Sequence, residues 1–191
     1  MIIGITGGTG CGKTTLLNLI RQQGGLVLDC DAIYHELLKT DNAMLSAIEA
    51  RFPGTVEHGM LNRKKLCAIV FADERALLDL NRITHGAVLR EVLRRLEAAP
   101  ALAAIDAIGL FEGGLAALCD VTVAITAPLE CRVQRLMARD GISEEFARSR
   151  IAAQHDDGWF AARCDTVLEN SGTFDAFATK CVDFLRNIGI M

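Results

Sequence analysis

Short apolar runs alternate along the chain with segments of helical periodicity. Five of these runs are typical of buried strands: residues 1–6, 26–29, 102–106, 121–126 and 166–168. Between them, apolar residues recur at helical spacing and predict helices over residues 14–21, 32–38, 44–51, 63–71, 74–80, 87–97, 128–139, 144–154 and 174–187. This alternation predicts an α/β fold: a doubly wound, five-stranded parallel sheet with helices on both faces.

The segment between the second and third predicted strands is unusually long. Residues 30–100 carry only helical patterns, whereas a crossover between parallel strands needs little more than one helix. We therefore expect a helical insertion that covers a substrate. We predict a single domain over residues 1–191, divided into a core (1–29, 101–127 and 164–191), a helical substrate-binding region (about 30–100) and a helical lid (about 128–160).

A glycine-rich segment follows the first predicted strand. It reads Gly7-Gly8-Thr9-Gly10-Cys11-Gly12-Lys13-Thr14 and satisfies the pattern G-x-x-x-x-G-K-[ST], with a strand before it and a helix after it. Glycines let backbone N–H groups surround phosphates, and the helix N-terminus adds partial positive charge. Lys13 can reach the β- and γ-phosphates of ATP, and the Thr14 hydroxyl can ligate Mg²⁺. The motif predicts the P-loop NTPase fold.

The loop alone does not distinguish a kinase from a GTPase, an ATPase or a switch protein. No Asn/Thr-Lys-x-Asp motif for reading guanine follows in the second half of the chain, which disfavours a GTPase. Because the chain is small, a small-molecule kinase fits best. We expect ATP contacts along the loop, from Gly8, Thr9, Gly10, Cys11, Gly12, Lys13, Thr14 and Thr15.

Acidic residues follow the second and third predicted strands. Asp31 closes the sequence Asp29-Cys30-Asp31, and Asp106 ends the third strand. Ligands of doubly wound sheets bind beyond the carboxyl ends of the strands, so Asp31 can orient an acceptor hydroxyl and take its proton. Alternatively, it caps the following helix. Asp106 is either an acid that holds magnesium indirectly, through one of the direct ligands of the metal, or a turn residue at a strand end.

Arginines recur in the predicted lid. Arg132, Arg135 and Arg139 are spaced so that they share one face of a helix, and Arg150 lies on the next helix. A solvated face usually includes acids, so these arginines are candidates to neutralise the transferring phosphate when a lid closes. We expect Arg139 to be catalytic. His85, between polar neighbours, is either structural or part of the cleft.

Composition and charge argue against several other classes. The net charge of −4 and the absence of a long Lys/Arg run disfavour nucleic-acid binding. Seven cysteines, an odd number without C-x-x-C spacing, argue against a disulfide framework and a zinc site. No basic leader precedes the first strand, and no apolar stretch reaches about 18 residues. We therefore expect a cytoplasmic protein with no membrane partner and no obligatory protein partner.

Several motifs together resemble the dephospho-CoA kinase family. They are Thr6-Gly7-Gly8 with Gly12-Lys13-Thr14, Asp29-Cys30-Asp31, residues 61–66, 70–73 and 80–85, Leu110-Phe111-Glu112 after Asp106, residues 135–141 and 150–154, and Asn170-Ser171-Gly172. The resemblance covers most of the chain, and the joint order and spacing are highly specific. It implies transfer of the ATP γ-phosphate to the ribose 3′-hydroxyl of dephospho-CoA, giving CoA and ADP in the last step of coenzyme A biosynthesis.

The resemblance also implies roles for single residues. It makes Asp31 the catalytic base, with Lys13 and Arg139 acting on the phosphates. It adds Arg139 and Asn170 to the ATP contacts. Contacts to dephospho-CoA are implied for Asp31, Arg63, His85, Asp106 and Leu110. The implied cofactors are ATP and Mg²⁺, with the metal held through Thr14.

Three positions depart from the family pattern. Gly86 stands where a proline usually follows the histidine, Ile108-Gly109 replaces Pro-Leu, and Cys11 replaces a serine of the loop. We expect the two glycines to make turns with more freedom than proline allows, which affects the acceptor pocket more than the chemistry. A kinase for another hydroxyl or for a nucleoside monophosphate stays open, as does a nucleotide-binding regulator without activity.

Overall fold

A computed structural model describes all 191 residues, from Met1 to Met191. In chain order its elements are β1 (Ile2–Thr6), α1 (Lys13–Gln22), β2 (Leu26–Asp29), α2 (Cys30–Thr40), α3 (Asn42–Arg51), β3 (Val56–Glu57), β4 (Met60–Leu61), α4 (Arg63–Val70), α5 (Glu74–Leu96), β5 (Ala103–Asp106), β6 (Val121–Thr126), α6 (Leu129–Asp140), α7 (Glu144–Ala152), α8 (Asp157–Ala161), β7 (Thr166–Glu169) and α9 (Phe174–Asn187). A short 3₁₀ helix, Leu115–Leu118, precedes β6. None of the helices combines the length and the apolar composition that crossing a membrane requires.

The five longer strands form one sheet in the order β2-β5-β1-β6-β7. β1 runs parallel to β5 and to β6, and β6 runs parallel to β7. The central strands β1 and β6 are almost wholly buried, as expected for a parallel sheet that helices cover. The predicted α/β fold with a five-stranded parallel sheet is confirmed, and each predicted strand agrees with the observed one to within one residue at either end.

The chain divides into two compact units. The core unit comprises Met1–Leu28, Ala99–Leu110 and Leu115–Met191. Within it, α1 and α9 pack together, and a buried cluster fills the space around the sheet. Members of that cluster include Ile3, Ile5, Leu16, Ile20, Phe177 and Phe184. A separate small cluster of Val133, Leu136, Ala147 and Ile151 joins α6 to α7, so this α6–α7 hairpin has an apolar core of its own.

The helical unit comprises Asp29–Ala98 and Phe111–Gly114. Its central element is α5, against which α2, α3 and α4 pack. Near the end of α5, Glu91 accepts hydrogen bonds from Arg94 and Arg95, and Arg95 also donates to Glu36 of α2. These charged contacts fasten the C-terminal half of α5 to α2.

The observed α5 differs from its prediction. The sequence predicts two helices, 74–80 and 87–97, with a turn at Gly86, whereas the structure has one continuous helix, Glu74–Leu96. Gly86 does not adopt a left-handed φ, so the predicted turn is wrong. A glycine inside a helix costs about 1 kcal/mol relative to alanine. Burial of Thr84, Ala87 and Val88 on either side offsets this cost. Gly109, in contrast, lies in a turn after β5, as predicted.

Three short elements, β3, β4 and α8, have no counterpart in the sequence prediction. Within the 30–100 region, where only helices are predicted, β3 and β4 form an antiparallel hairpin. Its turn has left-handed backbone at His58 (φ 53°) and Gly59 (φ 75°), a conformation that suits tight hairpins. Strands of two residues and the five-residue helix α8 are too short to show a periodic pattern.

The Glu91 contacts predict that the helical unit is sensitive to acid. Arg94 and Arg95 lower the pKa of Glu91 from 4.5 to about 2. Because folding lowers this pKa, the stabilisation is complete above the pKa of the unfolded chain and is lost as the pH falls from about 5 towards 2. In Glu91→Gln we expect a lower free energy of unfolding at neutral pH and a weaker dependence on pH within this range, measured by urea denaturation. The control Glu97→Gln should keep the pH dependence of the unmodified chain. If Glu91→Gln also kept it, the acid sensitivity would not come from Glu91.

Candidate active site

The phosphate loop joins β1 to α1 and depends on glycine at three positions. Gly7, Gly10 and Gly12 have φ values of 131°, 80° and 96°, in a region that residues with a Cβ rarely adopt. A Cβ at Gly7 would also lie 2.1 Å from the carbonyl oxygen of Ile125 in β6. The observed loop shape therefore requires glycine at these positions.

The first turn of α1 lacks side-chain partners for its N–H groups. Its N-cap is Gly12, which has no side chain to accept a hydrogen bond, and the turn holds no acid. In α2 and α9, by contrast, the side chains of Asp29 and Thr173 accept from backbone N–H groups. An uncapped helix end carries partial positive charge and binds anions. Together with the glycine backbone, it fits the phosphates of a nucleotide.

Donors outside the loop hold its carbonyl groups. Arg135 Nη1 donates to the carbonyl oxygens of Gly10 (3.3 Å) and Cys11 (3.4 Å). Asn170 Nδ2 donates to the same oxygen of Cys11 (2.9 Å). In a trans peptide the N–H points away from the C=O, so these donors turn the N–H of Gly12 to the opposite side of the loop. We call this opposite side the inner side.

Asn170 is buried at the end of β7. Its backbone N–H donates to the carbonyl oxygen of Thr126 (2.8 Å), which joins the ends of β6 and β7. Its side-chain oxygen accepts from Arg135 Nη2 (3.2 Å). ATP binding by Asn170 stays a prediction, but the observed contacts give this side chain a second role as a support of the loop.

Lys13 folds back towards the loop that precedes it. Its Nζ donates to the carbonyl oxygen of Gly7 (3.0 Å) and lies 3.9 Å from Oδ1 of Asp106. Asp106 ends β5, which is paired with β1, so the sheet order brings this carboxylate to the loop. Both side chains are mostly shielded from solvent. A lysine and a carboxylate beside a phosphate loop are the groups that hold phosphates and magnesium in nucleotide enzymes.

The arginines of α6 do not act as one exposed face. Arg135 reaches the phosphate loop, whereas Arg139 donates to both carboxylate oxygens of Asp140 (2.6 and 3.0 Å). Asp140 also accepts from Arg150 (2.7 Å). The guanidinium groups of Arg139 and Arg150 lower the pKa of Asp140 to about 2. The structure therefore places Arg139 and Arg150 together at the end of the α6–α7 hairpin, in exposed ion pairs.

The two acids of Asp29-Cys30-Asp31 have different positions in the helical unit. Asp29 is the N-cap of α2, and its Oδ1 accepts from the N–H of Ala32 (2.9 Å). The alternative that Asp31 is the cap is therefore wrong, because α2 begins at Cys30, earlier than predicted. Asp31 lies in the first turn with an exposed side chain, so the cap does not occupy its carboxylate.

The other residues expected to contact the acceptor lie in different environments. In the helical unit, Arg63 begins α4 with an exposed side chain whose Nη2 lies 3.1 Å from Nδ1 of His35. His85 is half-buried within α5. In the core unit, Leu110 is fully buried and packs beside Gly4. This leucine side chain supports β1 rather than lining an open surface.

The remaining loop residues divide between backbone and side-chain roles. Thr14 is exposed in the first turn of α1, and the N–H of Thr15 donates to the carbonyl oxygen of Gly12 (3.2 Å). Cys11 is fully buried, and its thiol donates to the carbonyl oxygen of Gly8 (2.7 Å). Burial raises the pKa of the Cys11 thiol, so it stays protonated and supports the loop. Cys11 can contact a phosphate only through its backbone.

Sequence reasoning missed two contacts to Thr9. Arg132, expected on the lid face, is buried, and its Nε donates to the carbonyl oxygen of Thr9 (2.9 Å). Gln154, predicted only as part of the lid segment 150–154, accepts from the N–H of Thr9 (2.8 Å). The partners are separated by 123 and 145 positions along the chain. The sequence signals are the run of arginines on one helix face and the lid-like segment 150–154, and neither indicates a contact to Thr9.

Removal of the Asn170 side chain tests the contacts to the loop carbonyls. In Asn170→Ala we expect the dissociation constant for ATP to rise about tenfold, because the Cys11 carbonyl and the Arg135 guanidinium lose a buried partner at a cost of about 1–3 kcal/mol. Calorimetric titration with ATP and magnesium measures this. Asn18→Ala, at an exposed asparagine of α1, is the matched control and should bind ATP normally. Unchanged ATP affinity in Asn170→Ala would disprove the supporting role.

Comparison with known proteins identifies the family. The family model for dephospho-CoA kinase matches residues 1–176. A dephospho-CoA kinase of Anaeromyxobacter dehalogenans is 40% identical over 193 residues, covering 98% of this chain and 92% of that protein. A solved structure from Thermus thermophilus has a TM-score of 0.81 at 34% identity, covering 98% of this chain and 97% of that one. The structure of dephospho-CoA kinase from Campylobacter jejuni has a TM-score of 0.66 at 25% identity, covering 98% and 96%. The chain therefore belongs to the dephospho-CoA kinase family.

Proposed function

We propose that this chain transfers the γ-phosphate of ATP to the ribose 3′-hydroxyl of dephospho-CoA and releases CoA and ADP. The observation that carries the proposal is the phosphate loop. It combines an uncapped helix end, a glycine backbone with outward-held carbonyls, and Lys13 beside Asp106. Membership of the dephospho-CoA kinase family supports the choice of acceptor.

Thr14 and Asp106 are the residues that would hold magnesium. Thr14 presents an exposed hydroxyl at the start of α1, and Asp106 presents a carboxylate at the end of β5. Hydroxyl and carboxylate oxygens are ligands that Mg²⁺ accepts, so this donor set fits the metal. Bound magnesium neutralises charge on the β- and γ-phosphate oxygens. Lys13 adds the fixed positive charge of the protein itself.

Asp31 is the proposed catalytic base. Its carboxylate is exposed in the first turn of α2, and Asp29 rather than Asp31 serves as the cap. In the proposed step Asp31 accepts a hydrogen bond from the 3′-hydroxyl and thereby orients the 3′-oxygen of the acceptor towards the γ-phosphorus. The proton passes to Asp31 as the new O–P bond forms and the bond to ADP breaks. Because the transition state is loose, orientation contributes more than basicity.

Arg139, Arg63 and His85 supply the remaining proposed contacts. The exposed ion pair between Arg139 and Asp140 is weak, so the guanidinium can exchange Asp140 for the transferring phosphate. Arg63 and His85 lie in the helical unit, in segments that resemble the acceptor-binding parts of the family. We assign both to dephospho-CoA, where the Arg63 fork suits the phosphate groups of the acceptor.

A panel of acceptors tests the proposed reaction. ADP release is measured with dephospho-CoA, shikimate, gluconate and nucleoside monophosphates, and phosphorus NMR locates the new phosphate. We expect turnover of dephospho-CoA with phosphate on the 3′-oxygen, because the phosphate loop is formed and membership of the family supports this acceptor. Turnover of another acceptor, with none of dephospho-CoA, would assign the chain to a different substrate. ATP binding without transfer to any acceptor would indicate a regulator.

Substitution of Asp31 separates acceptor chemistry from ATP binding. In Asp31→Asn we expect kcat to fall about 100-fold, while the dissociation constant for ATP changes by less than about twofold, since the loop is intact. Steady-state kinetics and calorimetry measure both. Lys13→Ala should abolish turnover through the lost charge on the phosphates. Glu74→Gln removes a first-turn acid from α5 and should leave kcat unchanged. A normal kcat in Asp31→Asn would show that Asp31 is not the base.

A further inference from the structure

Thr9 is held on both sides by residues outside the phosphate loop. Its N–H donates to Oε1 of Gln154 (2.8 Å), and its carbonyl oxygen accepts from Nε of Arg132 (2.9 Å). Arg132 lies in α6, and Gln154 follows shortly after the end of α7. Both legs of the α6–α7 hairpin are therefore fastened to the same loop residue.

Arg132 packs directly on the loop. Its side chain is 5% exposed, Nη1 donates to Oδ1 of Asp157 (3.2 Å), and Nη2 is buried without a hydrogen-bond partner. A Cβ at Gly8 would lie 2.1 Å from Nη2, and a Cβ at Gly10 would lie 2.9 Å from the carbonyl oxygen of Arg132. The loop therefore needs glycine at both positions to accommodate this arginine and the backbone of α6.

The buried charge of Arg132 points to an anion at the loop. A guanidinium group with an unused buried donor destabilises a protein unless an opposite charge compensates. Asp157 provides one carboxylate, but its side chain is 35% exposed, so solvent screens much of the attraction. The hydrogen bond to the Thr9 carbonyl does not account for the charge either, because a neutral donor could make the same bond. The phosphates of a nucleotide on the adjacent loop would supply the compensating charge.

We propose that Arg132 and Gln154 are positioning residues for the phosphates of ATP. The N–H of Gly10 shares a peptide plane with the Thr9 carbonyl, so the bond from Arg132 turns this N–H to the inner side of the loop. Gln154 fixes the preceding peptide in the opposite sense, because it holds the N–H of Thr9 rather than a carbonyl oxygen. The Thr9 amide therefore faces Gln154, and the neighbouring Gly10 amide faces the phosphates. This inference rests on the proposed function only in taking ATP as the nucleotide, and it does not depend on the acceptor.

Trp159 provides a spectroscopic signal for these contacts. It is the only tryptophan of the chain and lies in α8 with Asp157. Its ring stacks on His155, next to Gln154, with centroids 3.8 Å apart. A change at Gln154 or Asp157 on nucleotide binding alters the surroundings of this ring. We therefore expect tryptophan emission to report on the contacts to Thr9, without acceptor and without turnover.

The test compares Arg132→Met and Gln154→Met with the unmodified chain. Each protein is titrated with ATP and magnesium in the absence of acceptor, and both Trp159 emission and calorimetry are recorded. We expect the dissociation constant for ATP to rise about tenfold or more in both variants, with loss of the emission change, because the Thr9 peptides are no longer fixed. Thermal unfolding without nucleotide measures stability separately.

Arg148→Met is the matched control. Arg148 belongs to the same hairpin and pairs with Glu130 and Glu144, without a contact to the loop. We expect its ATP affinity to stay within about twofold and its emission change to persist, even if its melting temperature falls. If Arg132→Met does not fold, Gln154→Met decides, because it removes a neutral, half-buried side chain.

Two results would overturn the proposal. The first is unchanged ATP affinity and a normal emission change in the variants that lack Arg132 or Gln154. Even if these variants were less stable, that result would show that the two residues only support the fold. The second is an equal loss of ATP affinity in Arg148→Met. Failure of the proposed function is a separate result, since it shows as absent phosphate transfer by the unmodified chain that still binds ATP.

Discussion

The orientation of three carbonyl groups in the phosphate loop determines what the site can bind. Donors outside the loop hold the carbonyl oxygens of Thr9, Gly10 and Cys11, and these donors are Arg132, Arg135 and Asn170. A trans peptide has its N–H opposite its C=O, so the same bonds fix the direction of the amides that follow. A loop rich in glycine has little intrinsic resistance to rotation of its peptides. The surrounding side chains provide that resistance.

The order of the strands brings these donors to the loop. β1 leads into the loop, and its neighbour β6 is followed by α6, which carries Arg132 and Arg135. β7 pairs with β6 and ends beside Asn170, while β5 on the other side of β1 ends with Asp106. The carboxyl ends of four adjacent strands therefore supply the loop, its supports and the carboxylate beside Lys13. This is the edge at which doubly wound sheets bind ligands.

Local patterns predicted the elements but not the contacts that shape the site. The strands and the phosphate loop have signals within a few residues, and Lys13 belongs to that motif. The roles of Arg132 and Gln154 depend on partners more than 100 positions away. A buried arginine and an exposed lid arginine have the same spacing along a helix. Gly86 indicated a break, but burial of its neighbours keeps α5 continuous.

The direction of the loop amides can be measured by hydrogen exchange. With ATP and magnesium bound, NMR should show slower exchange at the amides of Gly10 and Gly12, because phosphate oxygens become their acceptors. The amide of Thr9, already bonded to Gln154, should change little. If the amides of Gly10 and Gly12 exchange as fast with nucleotide as without it, the claim that outward-held carbonyls direct these N–H groups to the phosphates is contradicted.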